Sequence, residues 1–461
     1  MSSGKVTPIS GFPEFLPAER IIEQHVLDTI RETFELHGFD SIETRAVEPI
    51  ERLSDQGEDA DKEIYAIHRL AEDLQGEAAA TSHEARLGLH FDLTVPFARY
   101  VLENSGKLQF PFRRYQIQRV WRGERPQAGR YREFTQADID IVDVGELPFH
   151  YEVEVPLVVA DAFSRLPVGP FRIQVNNRKI PEGLYRGLGL DDVKTVLRIV
   201  DKLDKVGPDA IREMLVDAGA TKEQANTCLA LAEIRTPDTS FADRVRDLGV
   251  SHPTLEQGLA ELTAVVDGAA QLAPGLLVAD LRVARGLDYY TGTVYETQLL
   301  GAEDFGSICS GGRYDALASD GKRTYPGVGI SIGVSRLLGK LIADGAVTTS
   351  RPTPTAVLVA VMDEEHRTES MRIAAALRAR GLASLVSPTA AKLGKQIRFA
   401  ERRGIPFVWF PGGEEADQVK DIRSGEQVAA DAGQWTPADP ADLRPVVRAA
   451  AAQASEGTRE D

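Results

Sequence analysis

Cysteine is nearly absent. Cys228 and Cys309 are the only two in 461 residues, far apart and in no CxxC pair. That excludes a disulfide framework and a thiolate zinc site, and it points to a reducing, cytoplasmic setting. No apolar run is long enough to span a membrane, so no membrane partner is expected. The opening residues Met1-Ser2-Ser3-Gly4-Lys5 lead into no apolar signal segment, and a chain without a secretory leader is expected. The eight histidines are scattered, with no HExxH, so no protein-held transition metal is expected. The P-loop and the dinucleotide GxGxxG spacing are both missing. Positive charge is in deficit: 53 basic against 70 acidic residues give a net charge of −17. A generic nucleic-acid coat is excluded, although local basic patches on an acidic protein can still bind phosphate. What remains is an ordinary globular composition, 43% hydrophobic and 27% charged, with length for two or three domains.

Over residues 17–50 the pattern predicts a helix followed by a strand. Ile21, Ile22, Val26, Ile30 and Phe34 recur at helical spacing, Gly38 stops the helix, and 39–47 is extended. Residues 110–144 pattern as two strands joined by a charged loop. From 190 to about 262 the chain is helical in character. Val193, Val196, Leu197, Val200 and Leu203 form one stripe, Gly207-Pro208 breaks it, and Thr221 with Gln224 fits a capping box. This block interrupts two strand-rich segments and is read as an insertion over about 190–268. Strands return over 275–341. Gly345, Thr348, Thr349, Ser350, Pro352 and Pro354 then have a linker composition. Beyond them, strands at 356–361 and 405–410 alternate with helices at 364–380 and 392–403, which implies a small α/β domain. The expected division is a first domain over 1–345, a linker over 346–354, a second domain over 355–445 and a flexible tail over 446–461.

The most informative stretch follows a buried-strand pattern. Leu276, Leu277, Val278, Leu281 and Val283 give way to Arg285-Gly286-Leu287-Asp288-Tyr289-Tyr290-Thr291-Gly292. A buried charge needs a partner and buried phenols need hydrogen bonds. The run is either an ion-paired strand end or a polar pocket floor, with a fixed cation beside phenolic groups. In a strand over 132–143, Arg132, Gln136, Asp138 and Asp140 share one face, while Ala137, Ile139 and Ile141 share the other. Arg122 and Glu124 share a face of the preceding strand, and Pro126 and Gly129 shape a loop carrying Arg125 and Arg130. A solvated hairpin explains any one of these residues. Four arginines around one hairpin suit phosphate recognition better.

Other groups are open to two readings each. Asp92 and Thr94 lie two apart, either on one extended face or as the N-cap of a helix starting near Val95. Ser310-Gly311-Gly312-Arg313-Tyr314-Asp315 is a glycine turn that makes Tyr314 a candidate pocket wall. Gly327, Gly329 and Gly333 admit either a flat ligand or a packed element close to the backbone. Arg336 falls in the first turn of the following helix, at the positive end of its dipole, which points to an anionic ligand or to a surface ion pair. Lys392, Lys395, Arg398 and Arg402 recur at helical spacing opposite Leu393, Ile397 and Ala400, as a solvated face or a docking surface for RNA.

Together and in this order, these groups resemble the histidyl-tRNA synthetases, a class II aminoacyl-tRNA synthetase family. Arg285 to Tyr290 looks like the first histidine-specific motif and Ser310 to Asp315 like the second. Arg122-Gly123-Glu124 through Gln136 and Asp140 is similar to class II motif 2, and Gly329 to Arg336 to motif 3. The resemblance spans nearly the whole chain and is weakest over the helical block. It implies an α+β catalytic core with an antiparallel sheet, a helical insertion and a C-terminal α/β anticodon-binding-like domain. It also implies a homodimer that ligates L-histidine to tRNA(His) through a histidyl-adenylate, with Mg²⁺ carried on the phosphates of ATP.

The implied roles follow residue by residue. Arg122 and Arg336 grip ATP, and Glu124 fixes the adenine side or the motif 2 loop. Arg285 lies across the histidine carboxylate and the α-phosphate. Asp92 and Thr94, with Gln136 nearby, hold the α-amino group. Asp140 and Tyr290 take the imidazole nitrogens, with Tyr289 and Tyr314 lining the pocket. Lys392, Lys395, Arg398 and Arg402 meet tRNA. Three positions depart from the family pattern: Arg45 where motif 1 usually has proline, Ser335 where glutamate commonly precedes the motif 3 arginine, and His90 where arginine is common. These touch the dimer interface and the setting of Arg336. The alternatives are a non-catalytic regulatory subunit of ATP phosphoribosyltransferase, which resembles the same core, and a degenerate RNA-binding relative. The apparent anticodon-binding domain and the full arginine set weigh against the first, and the intact Arg122, Arg285 and Arg336 against the second.

Overall fold

A computed structural model describes residues 6–54, 63–68, 86–127, 129–283 and 289–450. The chain forms two compact units, Met1–Pro13 with Leu27–Lys340 and Glu14–Val26 with Leu341–Asp461. The helix predicted near the start is α1 (Pro17–Leu36). Ile22, Val26, Ile30 and Phe34 are buried along it and Ile21 is half-buried. Gly38, at a φ of 75°, takes the left-handed conformation that ends it.

The first unit is built on a nine-stranded sheet: β1 (Asp40–Ser41), β2 (Phe112–Trp121), β3 (Glu133–Val142), β4 (Phe171–Asn177), β5 (Arg235–Thr236), β6 (Leu277–Asp280), β7 (Thr293–Leu299), β8 (Cys309–Tyr314) and β9 (Gly327–Gly333). Their order across the sheet is β1-β2-β3-β9-β8-β7-β4-β6-β5. The expected antiparallel sheet is in fact mixed, because β1 runs parallel to β2 and β4 parallel to β6. The cause is connectivity. Long crossovers separate the members of both pairs, and a crossover returns the chain in the same direction, which a hairpin cannot do.

The β2–β3 hairpin pairs Arg114 with Asp140, Gln116 with Asp138 and Gln118 with Gln136. On the other side of β3, Asp140 faces Gly329 and Asp138 faces Ser331. All these side chains share one face of the sheet. A solvated hairpin is ruled out, since Gln136, Asp138 and Asp140 are 8%, 2% and 2% exposed. Ala137, Ile139 and Ile141, on the opposite face, are fully buried.

Helix α2 (Thr94–Asn104) follows the short strand Leu87–Leu89 of a separate three-stranded sheet, while α3 (His150–Ser164) and α4 (Lys179–Gly187) follow β3 and β4. The helical stretch then runs through Val193–Val200, Leu203–Val206, Pro208–Asp217, Lys222–Glu233 and Phe241–Arg246 to α5 (Pro253–Leu272). Gly207, at a φ of 83°, and Pro208 at the first helical position break the apolar stripe as predicted. Both arms of the Thr221–Gln224 capping box form. The helical pattern gave no sign of β5, a two-residue strand inside this stretch that joins the sheet edge beside β6.

The last helix of the unit is α6 (Val334–Ala343), which continues directly from β9. The second unit holds α7 (Arg367–Ala379), α8 (Leu393–Arg402) and a five-stranded sheet. Its strands are β10 (Val357–Val359), β11 (Ser384–Val386), β12 (Phe407–Phe410), β13 (Gln418–Asp421) and β14 (Gln427–Ala429), ordered β11-β10-β12-β13-β14. The first three are parallel and the last two antiparallel, around a core centred on Trp409, Val357 and Leu377. No described helix is long and apolar enough to cross a membrane.

Two glycines let α4 and α5 meet backbone to backbone. A Cβ on Gly183 would fall 2.2 Å from the Leu255 nitrogen, and one on Gly258 would fall 2.8 Å from the Ile180 nitrogen. Backbone cannot yield as a side chain can. Gly183→Ala is therefore expected to cost about 1–3 kcal/mol or more, measured as a lower denaturation midpoint. An unchanged midpoint would show that the two helices are not locked here.

Candidate active site

The polar face of β2, β3 and β9 meets the start of α2 and the segment after β6. Asp92 sits just before α2, where its Oδ1 accepts the Val95 N–H at 3.2 Å and its Oδ2 accepts the Tyr289 hydroxyl at 3.2 Å. The helix reading holds, since Asp92 bonds the first turn of α2; Thr94 is the first helical residue, so the two share no extended face. Thr94 opens α2 beside the Tyr289 hydroxyl. The Tyr289 ring stands edge-on to Tyr290 at 4.8 Å and to Tyr314 at 6.0 Å. Tyr314 donates to Asp140 Oδ1 at 2.7 Å, and Arg114 Nη2 lies 2.6 Å from Asp140 Oδ2. The Arg114 guanidinium in turn covers the Phe97 ring at 4.4 Å. Sequence reasoning missed Arg114 and Phe97. The hairpin register, which sets Arg114 opposite Asp140, carried the signal for the first.

The glycine series has a specific purpose here. A Cβ on Gly329 would fall 2.2 Å from Asp140 Oδ1, one on Gly327 would fall 2.5 Å from the Tyr314 ring, and one on Gly312 would fall 2.9 Å from the Tyr290 ring. These glycines make room for the pocket's own side chains.

Three carboxyls share this space. Burial pushes Asp92 up to about 6, against the Val95 N–H and Arg122. Burial pushes Asp138 up to about 7, against the charge of Arg114. Asp140 is also raised by burial, with Arg114 and Tyr314 opposing. Burial holds the phenols of Tyr289, Tyr290 and Tyr314 protonated, as donors. Gln136 gives its Nε2 to Ser331 Oγ at 2.7 Å. Its Oε1, like Asp138 Oδ1, is buried without a partner among the described residues. A pocket of neutral donors, carboxyls and open acceptors suits a cationic ligand with several N–H groups.

The arginines lie beside it. Arg122 donates Nε–H to the Phe91 carbonyl at 3.0 Å, lies over the Phe134 ring at 5.2 Å and stands 3.9 Å from Glu124. Glu124 also pairs with Arg130 at 3.3 Å. Arg336 donates to the Phe305 carbonyl and covers that ring at 4.9 Å, while its Nε is buried and unpartnered. Burial first, and then the charge of Arg130, depress its pKa. An under-compensated guanidinium beside a second arginine is a place for an anion. Arg285, with Gly286, Leu287 and Asp288, lies outside the described residues.

The histidyl-tRNA synthetase family model matches residues 11–337, and an anticodon binding domain model matches residues 356–434. The chain belongs to the histidyl-tRNA synthetase family. A histidine–tRNA ligase of Micrococcus luteus is 59% identical over 95% of this chain and 98% of its own length. The crystal structure of histidyl-tRNA synthetase from a Nostoc species matches with a TM-score of 0.78 at 35% identity, covering 93% of this chain and 98% of that one. A Bacillus halodurans structure, described as an ATP phosphoribosyltransferase regulatory subunit/histidyl-tRNA synthetase, shares the fold at 19% identity. Its TM-score is 0.72, over 89% of this chain and 99% of that one.

The three departures from the family pattern have local explanations. Ser335 Oγ accepts the Thr135 N–H at 2.8 Å, so a short hydroxyl ties α6 to β3. His90 is buried and neutral. Its Nε2 meets the Arg119 carbonyl at 2.7 Å and its ring stacks on Trp121 at 5.6 Å. Arg45 pairs with the buried Glu48 at 3.0 Å, and Glu48 also takes Arg99 at 2.6 Å.

In the second unit, Lys392 precedes α8, and Lys395, Arg398 and Arg402 line a shallow depression with Glu401. All four basic residues are exposed. The expected apolar stripe needs correction: Leu393 is 37% exposed, whereas Gln396 is 2% exposed. Gln396 is drawn inward because its amide satisfies both the N–H and the carbonyl of Val361, at 3.0 and 2.8 Å. Among the described residues, no cluster of His, Cys, Asp or Glu is arranged to hold a metal ion.

The raised carboxyls link stability to pH. Asp138 ionises near 7 in the folded unit, against 3.8 for a free aspartate. The folded state therefore keeps a proton that the unfolded chain has released. The stability this contributes is fully present below about pH 4 and is lost as pH rises through about 7. Melting curves at pH 5.5–8 are expected to show Asp138→Asn with a higher Tm than the parent at pH 8, by a few degrees, and a flatter pH dependence. Superimposable pH profiles would mean that Asp138 is not held protonated by burial.

Proposed function

We propose that this chain joins L-histidine to tRNA(His) in two ATP-driven steps, both at the pocket of Asp92, Asp140 and the three tyrosines. The chain's family is one of histidine–tRNA ligases, and an anticodon-binding domain follows the core. The observation that supports the site assignment is the adjacency of a buried carboxyl–tyrosine wall and an arginine face on which Arg336 Nε has no partner among the described residues.

In the first step an oxygen of the histidine carboxylate attacks the α-phosphorus of ATP, and the bond to diphosphate breaks. In the second, a hydroxyl of the 3′-terminal ribose attacks the histidyl carbonyl and AMP leaves. Neither step needs a covalent protein group; both need positioning and charge stabilisation. Arg122 and Arg336 hold the ATP phosphates, which bring Mg²⁺ with them. Glu124 steadies the motif 2 loop through Arg130, and Arg285 bridges the carboxylate and the α-phosphate. Asp92, Thr94 and Gln136 take the α-ammonium. Asp140, held by Arg114, and Tyr290 take the two imidazole nitrogens, while Tyr289 and Tyr314 close the sides. A pocket that pairs both nitrogens rejects apolar analogues by roughly 10⁴ or more, since its buried polar groups would be left unpaired. Lys392, Lys395, Arg398 and Arg402 bind tRNA phosphates. The working form is a cytoplasmic homodimer, with a catalytic domain over 1–345 and an anticodon-binding domain over 355–445. A regulatory subunit with this fold would lack the first step, and the arginine face with its unpartnered Arg336 Nε favours the enzyme.

Histidine-dependent exchange of pyrophosphate into ATP is the direct test, and folded protein that shows none would sink the catalytic reading. Arg285→Ala is expected to slow adenylate formation by roughly 10²–10³, as the loss of one preorganised donor does. An unchanged single-turnover rate would remove Arg285 from the mechanism. Reversing Lys395 and Arg398 to glutamate is expected to weaken tRNA charging and leave pyrophosphate exchange intact. Loss of both activities together would point to misfolding instead of a tRNA contact.

A further inference from the structure

The roles above leave one buried carboxyl of the pocket face without work. Asp138 lies between Gln116, opposite it on β2, and Ser331, opposite it on β9. Among the described residues its Oδ1 has no partner, and neither has Oε1 of Gln136, two residues earlier on the same face. Ser331 stands between the two. Its hydroxyl oxygen accepts the Gln136 amide at 2.7 Å, and it lies beside the Asp138 carboxyl, whose charged form it favours. A serine hydroxyl has a single proton to give. If that proton goes to the Asp138 carboxylate, Ser331 can only accept from Gln136. The amide is then fixed with its NH₂ on Ser331 and its carbonyl oxygen turned away from it.

We propose that Asp138 is a positioning residue of the histidine site: acting through Ser331, its carboxylate holds Gln136 with the carbonyl oxygen presented to the substrate's α-ammonium. The proposal rests on the ligase reading of the pocket. The groups facing Asp138 are the Arg114 cation on β2, the Asp140 and Asp92 carboxyls, the Tyr290 phenol and the Cys309 thiol on β8. Burial keeps the last two neutral, so Arg114 is the one cation among them. On protonation, Asp138 donates to Ser331 instead. The serine proton then turns to Gln136, the amide turns over, and an NH₂ group confronts the ammonium. Histidine binding therefore weakens as pH falls through the range in which Asp138 takes up its proton.

The test is the KM for histidine in pyrophosphate exchange, from pH 6 to 8.5, for the parent, Asp138→Asn, Ser331→Ala and the double variant. Each single variant is expected to raise KM roughly tenfold, the loss of one hydrogen bond to a charged group, with kcat within about twofold. The double variant should be no worse than the weaker single variant, because both break one chain of contacts. Both singles should lose the part of the pH dependence that exceeds the ionisation of the substrate's imidazole and of Asp92. A parental KM, a parental pH profile or additive effects in the double variant would overturn the proposal. If Asp138→Asn fails to fold, Ser331→Ala decides by the same criteria. If the folded parent shows no exchange, the ligase reading fails, and calorimetric titration of histidine into the same proteins still decides the role of Asp138.

Discussion

The contact on which the site depends is the one between Arg114 and Asp140, 2.6 Å apart and almost wholly removed from water. A buried ion pair is seldom a net source of stability, because each charge has given up its hydration. This pair is kept viable by its surroundings: the Tyr314 hydroxyl takes the second carboxylate oxygen and the Phe97 ring lies under the guanidinium. Its geometry is a product of register. A slip of one residue between β2 and β3 would send the two charges to opposite faces of the sheet. The missing side chain of Gly329 is part of the same arrangement, since any Cβ there would occupy the position of the carboxylate.

Around that pair burial raises three carboxyls, and Arg114 and Arg122 offset it only in part. A core designed for stability alone would not hold Asp92, Asp138 and Asp140 together. Such frustration marks a surface prepared for a ligand that supplies the missing positive charge. The arginine face carries the opposite charge, with Arg336 under-compensated beside Arg130.

Much of this was legible in the residues. Helical spacing located α1, Gly38 its end, and Thr221 with Gln224 the start of a helix in the central block. Alternation placed Gln136, Asp138 and Asp140 on one face. What stayed hidden depends on partners distant in the chain. The reason for Gly327 and Gly329 required knowing that β9 lies against β8 and β3. Arg114 looked like any strand arginine until the register set it opposite Asp140. Gln396 belonged to the polar side of its helix by type and to the buried side by contact, because the backbone of Val361 needed both halves of an amide.

The position of β9 has a further consequence. It is the last strand of the large sheet in the chain, yet it lies at an interior position, between β3 and β8. Without it the sheet would be two separate ribbons, one ending at β3 and the other at β8. Gln136 and Asp140 sit on one edge and Tyr314 on the other. The polar pocket therefore straddles a seam that residues 327–333 close, and its wall and the continuity of the sheet rest on the same strand.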